Sequence, residues 1–288
     1  MQIAIIGSGP AGLSAALNAR IRNKSVAIFS TDFRESGLYK AKVLDNILGT
    51  STCDGPTYLD FCRQQVIKQG ARFIAGRVLS VLPSGDAFLI ACGNESYRVN
   101  TVILALGITQ SSAFIGEIEL LGRGVSYCAT CDGMLYRKKD VVVYIDSSEG
   151  VGEANFLHEI GCNVTVIAKG RDLSALNANI PVIAEKSLEI LGTQQLESII
   201  VAGQAIPCAG LFILRQSLAP NTLLPHLSCA DGHITVDRHM QTNISGVFAA
   251  GDCIGKPYQI SKATGEGQIA AFSAVDYIDK KLKNSEEL

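Results

Sequence analysis

Met1-Gln2-Ile3-Ala4-Ile5-Ile6 runs straight into Gly7-Ser8-Gly9-Pro10-Ala11-Gly12, an apolar stretch followed by three glycines at G-x-G-x-x-G spacing. The apolar stretch predicts a buried strand over residues 2–6, with a helix over 11–22 and a second strand over 25–29. Together these make one βαβ unit. In that setting the glycines permit a tight turn and close backbone approach, and the helix N-terminus offers its amides to a pyrophosphate. A bare strand-to-helix turn is the plainer alternative. One expected feature is missing: the second strand ends in Ile28-Phe29-Ser30-Thr31, without the acidic residue that usually holds a ribose hydroxyl.

A second unit of the same kind is predicted further on, with a strand over 141–145, a helix around 150–160 and a strand over 163–168. The 28 glycines and the many short Val/Ile/Ala runs between longer amphipathic segments fit this pattern. The predicted fold class is therefore α/β, with two Rossmann-like, three-layer dinucleotide-binding domains. A length of 288 residues suits two domains.

Composition narrows the function. Lys plus Arg number 25 against 27 Asp plus Glu, a net charge of −2, and no long basic run supplies a footprint for nucleic acid. No apolar run approaches the roughly 18 residues needed to cross a bilayer, and no basic leader precedes the first strand, so the expected location is cytoplasmic, away from membranes. Of nine cysteines, only Cys128 and Cys131 form a C-x-x-C pair; the others are expected to be mostly small buried thiols. Half a zinc site is the rival reading of that pair. Zinc wants four ligands, however, and neither a second C-x-x-C nor a suitably spaced pair among the four histidines completes a set.

Near the other end, residues 242–252 read Thr-Asn-Ile-Ser-Gly-Val-Phe-Ala-Ala-Gly-Asp, an apolar strand ending in Gly251-Asp252. An aspartate there can accept hydrogen bonds from a ribityl chain, and the glycine permits close approach. A following helix with Gln259, Ile260, Gly265, Glu266 and Gly267 brings further backbone amides. Paired with Gly7–Gly12, this segment resembles the second FAD signature of flavoproteins with two dinucleotide domains, and Thr101–Gly107 (with Ala105 and Leu106) resembles the strand motif between them. FAD is the expected cofactor. Because the signatures lie about 240 residues apart, the FAD domain is expected to be discontinuous, residues 1–113 and 232–288, with residues 114–231 inserted.

The order of FAD fingerprint, Cys-Ala-Thr-Cys-Asp at 128–132, second βαβ unit and Val-Phe-Ala-Ala-Gly-Asp closely resembles low-molecular-weight flavoprotein thioredoxin reductases along the whole chain. The resemblance implies that Cys131 faces the flavin, Cys128 attacks the disulfide of thioredoxin, and Asp132 manages the thiol proton. It adds Lys40, Asn46 and Val78 to the FAD contacts and implies a homodimer; because one C-x-x-C pair on a separate domain cannot both touch the flavin and enter thioredoxin's surface, a rotation of the inserted domain about linkers near residues 113 and 232 is expected. The pattern breaks in the inserted domain. Where the NADPH-dependent enzymes carry G-x-G-x-x-A, this chain has Ile145-Asp146-Ser147-Ser148-Glu149-Gly150, so Ile145 and Ser147 stand at glycine positions and Asp146 and Glu149 add negative charge where a pyrophosphate would sit. The basic cluster for the 2′-phosphate shrinks to Ala168-Lys169-Gly170-Arg171. No NADPH is expected. A one-electron carrier must then reduce the flavin, and the chain resembles most the ferredoxin-dependent flavin branch, which Lys40 and Lys42 also suggest. Arg20, Arg22 and Lys24, or Arg137 to Lys139, could steer an acidic ferredoxin or be ordinary solvated charges. The rivals are an NADPH-dependent thioredoxin reductase with an atypical nucleotide site and a non-catalytic flavin redox sensor.

Overall fold

The computed structural model describes residues 1–108, 114–147, 150–215 and 219–286. The chain begins with β1 (Ile3–Ile6), α1 (Pro10–Ile21) and β2 (Val26–Ser30), the expected first unit within a residue or so. Next come α2 (Gly55–Lys68), capped by Asp54, and β3 (Arg72–Ala75). An antiparallel sheet of β4 (Val78–Ser84), β5 (Ala87–Cys92) and β6 (Glu95–Val99) precedes β7 (Thr101–Leu104).

The second unit holds β8 (Val125–Ser126), α3 (Ala129–Asp132), β9 (Asp140–Asp146), α4 (Gly150–Glu159), β10 (Asn163–Ile167) and β11 (Val182–Ile183). The antiparallel strands β12 (Glu189–Leu191), β13 (Ser198–Val201) and β14 (Gln204–Pro207) lead to β15 (Gly210–Arg215). The chain then returns through α5 (Pro220–Leu223), the hairpin of β16 (Cys229–Ala230) and β17 (His233–Ile234), β18 (Val247–Ala249) and α6 (Ile260–Glu286).

Two compact units result, Met1–Gln110 with Pro220–Leu288, and Ser111–Ala219. The second crossing thus lies about a dozen residues before the expected 232. The reason is packing: Leu223, Leu224 and Leu227 join Val78, Val81 and Phe88 in one apolar cluster, which ties α5 and the turn after it to the first unit. The expected first crossing, at 113, lies outside the described residues.

In the first unit, five parallel strands are ordered β18-β7-β1-β2-β3. Alternation along β1 builds three layers, since Ile3 and Ile5 pack with α1 and α6 while Ala4 and Ile6 pack toward the β4–β6 sheet. The connections leave β1 and β7 in opposite directions, which makes the carboxyl end of β1 a topological switch point where such sheets bind ligands. The second unit repeats the plan with β11-β10-β9-β15-β8, all parallel, and its switch point lies at the ends of β9 and β15. Among the described residues no helix is long and apolar enough to cross a membrane.

Candidate functional site

In the first unit the glycines after β1 divide their work. A Cβ on Gly7 would lie 2.1 Å from the Ala105 carbonyl oxygen, and one on Gly12 would lie 2.0 Å from the Gly7 carbonyl oxygen, so the fold itself demands both. A Cβ on Gly9 would meet nothing within 4 Å, which leaves the second glycine for an outside group to approach. Pro10 opens α1, whose N-terminus has neither a side-chain cap nor an acidic residue in its first turn. Uncapped amides beside an open glycine fit a pyrophosphate. At the end of β2, where the acid is missing, Ser30 donates to the Thr31 carbonyl oxygen (2.8 Å) and lies 2.6 Å from the Ser8 hydroxyl.

The distant second signature meets the first. Gly251 has a φ of +88°, and a Cβ there would lie 2.9 Å from the Ala11 Cβ. Its N–H donates to Glu266 Oε2 (3.0 Å), and Glu266 pairs at 3.1 Å with Lys262, which also donates to the Gly255 carbonyl oxygen (2.7 Å). This clamp holds the turn carrying Asp252, whose carboxyl burial pushes above its ordinary value. Asn46 Nδ2 donates to Gln259 Oε1 (3.2 Å), so these two candidates also come together, just before Ile260 starts α6. The Ala105 N–H donates to the Ile6 carbonyl oxygen (2.8 Å), which brings the Ala105-Leu106-Gly107 turn alongside Gly7. Lys40 is exposed. Val78 is buried in the apolar cluster beneath the β4–β6 sheet, so any contact it makes with a cofactor would be through its backbone.

In the second unit Cys128 and Cys131 form a disulfide, and Cys128 caps the short helix α3 by accepting the Cys131 N–H (3.1 Å) on Sγ. Two neighbours that sequence reasoning missed hold this turn. Ser126 Oγ accepts the Cys128 N–H (3.1 Å) and lies 2.6 Å from Asp132 Oδ2, while Glu153 Oε2 accepts the Ala129 N–H (2.8 Å). No motif marks either one; only Ser126, two residues ahead of Cys128, lay close enough in the chain to suspect. Beside the disulfide, Met134 and Leu135 are 61% and 69% exposed. No group of His, Cys, Asp and Glu among the described residues forms a metal site. Of the remaining cysteines, Cys92, Cys162, Cys208 and Cys253 are buried as expected; Cys53 and Cys62 are half-buried, and Cys229 is exposed on β16. Burial pushes the Cys208 thiol up to about 12 and Cys253 to about 11, which keeps both protonated and unreactive.

The loop after β9 differs from that after β1. Ile145 is buried, and a Cβ on Gly150 would press to 2.8 Å of its Cγ2. Asp146 forms an ion pair with Arg171, joining residues from the two segments that sequence compared with the pyrophosphate and 2′-phosphate positions of the NADPH-dependent enzymes. Ser147 Oγ is buried without a hydrogen-bond partner among the described residues. Arg215, at the end of β15 and in register with Asp146, is 4% exposed and pairs at 2.5 Å with Glu117, itself 1% exposed. Glu117 also accepts the Tyr127 hydroxyl (2.8 Å) and the Phe114 N–H (2.7 Å). Among the described residues, two ion pairs therefore lie at the ends of β9 and β15, and Ile145 packs in the core beneath α4. Ser148 and Glu149, to which sequence also assigned a part, lie outside the described residues.

The basic runs are partly committed elsewhere. Arg20 donates to the carbonyl oxygens of Gln69 and Lys24, Arg22 stacks on Phe272 at 3.6 Å, and Lys24 pairs with Asp279. These residues bind α1 to its neighbours.

Comparison with known proteins agrees with this architecture. A model of the pyridine nucleotide-disulphide oxidoreductase family matches residues 1–267. A thioredoxin reductase of Treponema pallidum is 31% identical, over 96% of this chain and 97% of its own. Among solved structures, a ferredoxin-flavin thioredoxin reductase from Clostridium acetobutylicum is 41% identical with a TM-score of 0.90, covering 97% of each chain. A thioredoxin reductase from Gloeobacter violaceus is 26% identical with a TM-score of 0.80, over 97% of this chain and 94% of its own.

Proposed function

The chain belongs to the pyridine nucleotide-disulphide oxidoreductase family, and from that premise we propose that it takes electrons from reduced ferredoxin and delivers them through FAD and the Cys128/Cys131 dithiol to thioredoxin. The observation that carries this reading is the contrast between the two switch points: one has an open glycine and an uncapped helix, the other has Ile145 at a glycine position and carries the ion pairs Asp146–Arg171 and Glu117–Arg215. A thioredoxin reductase-type chain without a place for NADPH needs another donor, and the ferredoxin-flavin thioredoxin reductase of Clostridium acetobutylicum supports ferredoxin as that donor.

Gly7, Ser8, Gly9, Pro10, Ala11 and Gly12 would take the pyrophosphate of FAD on the start of α1, Gly251 and Asp252 its ribityl chain, and Asn46, Gln259 and Ile260 the segment nearer the ring. Bound there, FAD would convert single electrons into the electron pair that a disulfide requires. Exposed Lys40 and Lys42, close in sequence to Asn46, put positive charge within reach of an acidic carrier. In the exchange itself, the Cys128 sulfur attacks the thioredoxin disulfide and Cys131 then closes on Cys128. Two electrons and two protons leave the enzyme dithiol and arrive on the thioredoxin dithiol, with Asp132 carrying a proton between thiol and leaving thiolate. Met134 and Leu135 supply an exposed apolar margin for a protein acceptor. We read the assembly as a homodimer, which sedimentation tests; on α6, Ala270, Ala271 and Ala274 pack in the core that holds α1, while Ile269 and Leu282 are exposed.

A trapping experiment tests the thiol assignment. Thioredoxin carrying one activated cysteine is expected to form a stable mixed disulfide with the reduced Cys131→Ser protein through Cys128. An adduct formed only by Cys128→Ser would reverse the two roles, and none from either variant would leave a flavin redox sensor without an acceptor.

A further inference from the structure

Ser126 occupies an unusual position: it is 4% exposed, on a two-residue strand, and its hydroxyl touches three groups of the redox turn. Oγ accepts the Cys128 N–H at 3.1 Å and lies 2.6 Å from Asp132 Oδ2 and 3.2 Å from the Cys128 carbonyl oxygen. A hydroxyl has one proton and two lone pairs, so it can satisfy only one of the two acceptors at a time. With Asp132 charged, the short O–H···O⁻ contact takes the proton, since charge-assisted bonds of about 2.5–2.7 Å are the strong ones. With a proton on Oδ2, the carboxylic acid donates to Ser126 Oγ, and the hydroxyl proton turns to the Cys128 carbonyl oxygen. Both states are satisfied without moving a heavy atom.

We propose that Ser126 is the positioning residue of the proton carrier, holding Asp132 in one orientation beside the disulfide through the whole protonation cycle. This rests on the reading of Asp132 as the group that moves the thiol proton. No net proton is gained or lost at Ser126; its hydrogen bond is redirected while Asp132 takes up a proton from the enzyme thiol and gives it to the leaving thiolate. A serine holding only the backbone would need the Cys128 N–H contact alone, whereas the second contact joins Ser126 to the one side chain of the turn assigned to proton transfer.

A double-mutant cycle on dithiothreitol-reduced protein tests this, with single-turnover oxidation by thioredoxin disulfide and, separately, by cystamine, a small disulfide that needs no docking surface. Ser126→Ala is expected to slow the exchange about tenfold at saturating acceptor, the scale of a misplaced catalytic group, with little change in half-saturation. Ser126→Thr, which keeps the hydroxyl on a strand position, should restore most of the rate. In the Asp132→Asn background Ser126→Ala should add nothing further. Equal slowing in both backgrounds, or none in either, overturns the proposal. Failure with thioredoxin alone, while cystamine shows the coupling, counts against the acceptor assignment and leaves the role of Ser126 standing.

Discussion

The turns after β1 and after β9 occupy equivalent places in two sheets of the same plan, yet they are chemically opposite. After β1, two glycines are fixed by backbone atoms 2.0–2.1 Å from where a Cβ would fall, while the third faces open space beside uncapped amides. After β9, the chain spends the same place on itself. Ile145 packs beneath the start of α4, Asp146 takes Arg171, and Arg215 and Glu117 bury a salt bridge at the neighbouring strand end. The same sheet plan thus carries two different turns, one with an open glycine beside uncapped amides and one whose charged side chains pair within the protein.

The strongest way to probe this contrast is to remove the internal partner. Arg215→Met would leave the Glu117 carboxylate buried with, among the described residues, only the Tyr127 hydroxyl and the Phe114 N–H, and loss of one member of a buried pair costs about 3–5 kcal/mol. Denaturant unfolding should show that loss, and NADPH should still not bleach the flavin. A loss below about 1 kcal/mol would mean that water already reaches the pair. Next in size, Gly9→Asp transplants the acidic character of the second turn onto the first. It should weaken flavin retention a hundredfold or more, about 2.7 kcal/mol, with little change in the unfolding of flavin-free protein. Retained flavin would refute the assignment of Gly9 to the pyrophosphate. The smallest expected effect has opposite signs in two measurements. Burial raises the Asp252 carboxyl, so the folded chain binds that proton more tightly than the unfolded chain; the cost of its charge sets in as pH rises past the ordinary value of 3.8 and is complete above the raised one. At neutral pH, Asp252→Asn should hold or raise the melting temperature of flavin-free protein by about 1–3 °C, while flavin retention falls.

What the sequence revealed followed from how local each signal is. Gly7–Gly12 and Cys128–Cys131 could be read because their partners lie within a few residues and the spacing is the mechanism. The strands of both βαβ units were legible because burial on both faces forces continuous Val, Ile and Ala runs, as in β1 and β9. The Glu117–Arg215 pair was not, since 98 residues separate its members and either charge would ordinarily be taken for surface. Ser126 escaped for another reason: a serine in a strand carries no signal until its hydroxyl is seen against Asp132. The second domain crossing was misplaced because Leu223, Leu224 and Leu227 look the same in either core, and only packing assigns them.

The central claim, that this flavoprotein draws on a protein carrier instead of a nicotinamide, is tested most directly by an anaerobic absorbance titration of the purified holoprotein. NADPH, NADH and enzymatically reduced ferredoxin would be added in turn, followed by thioredoxin, with a count of the thiols formed. The account predicts bleaching by ferredoxin alone, recovery of the flavin spectrum on adding thioredoxin, and two new thiols on thioredoxin for each electron pair delivered. Prompt bleaching by NADPH would contradict it, and would show that the turn after β9, with Ile145 and Asp146, accepts a dinucleotide.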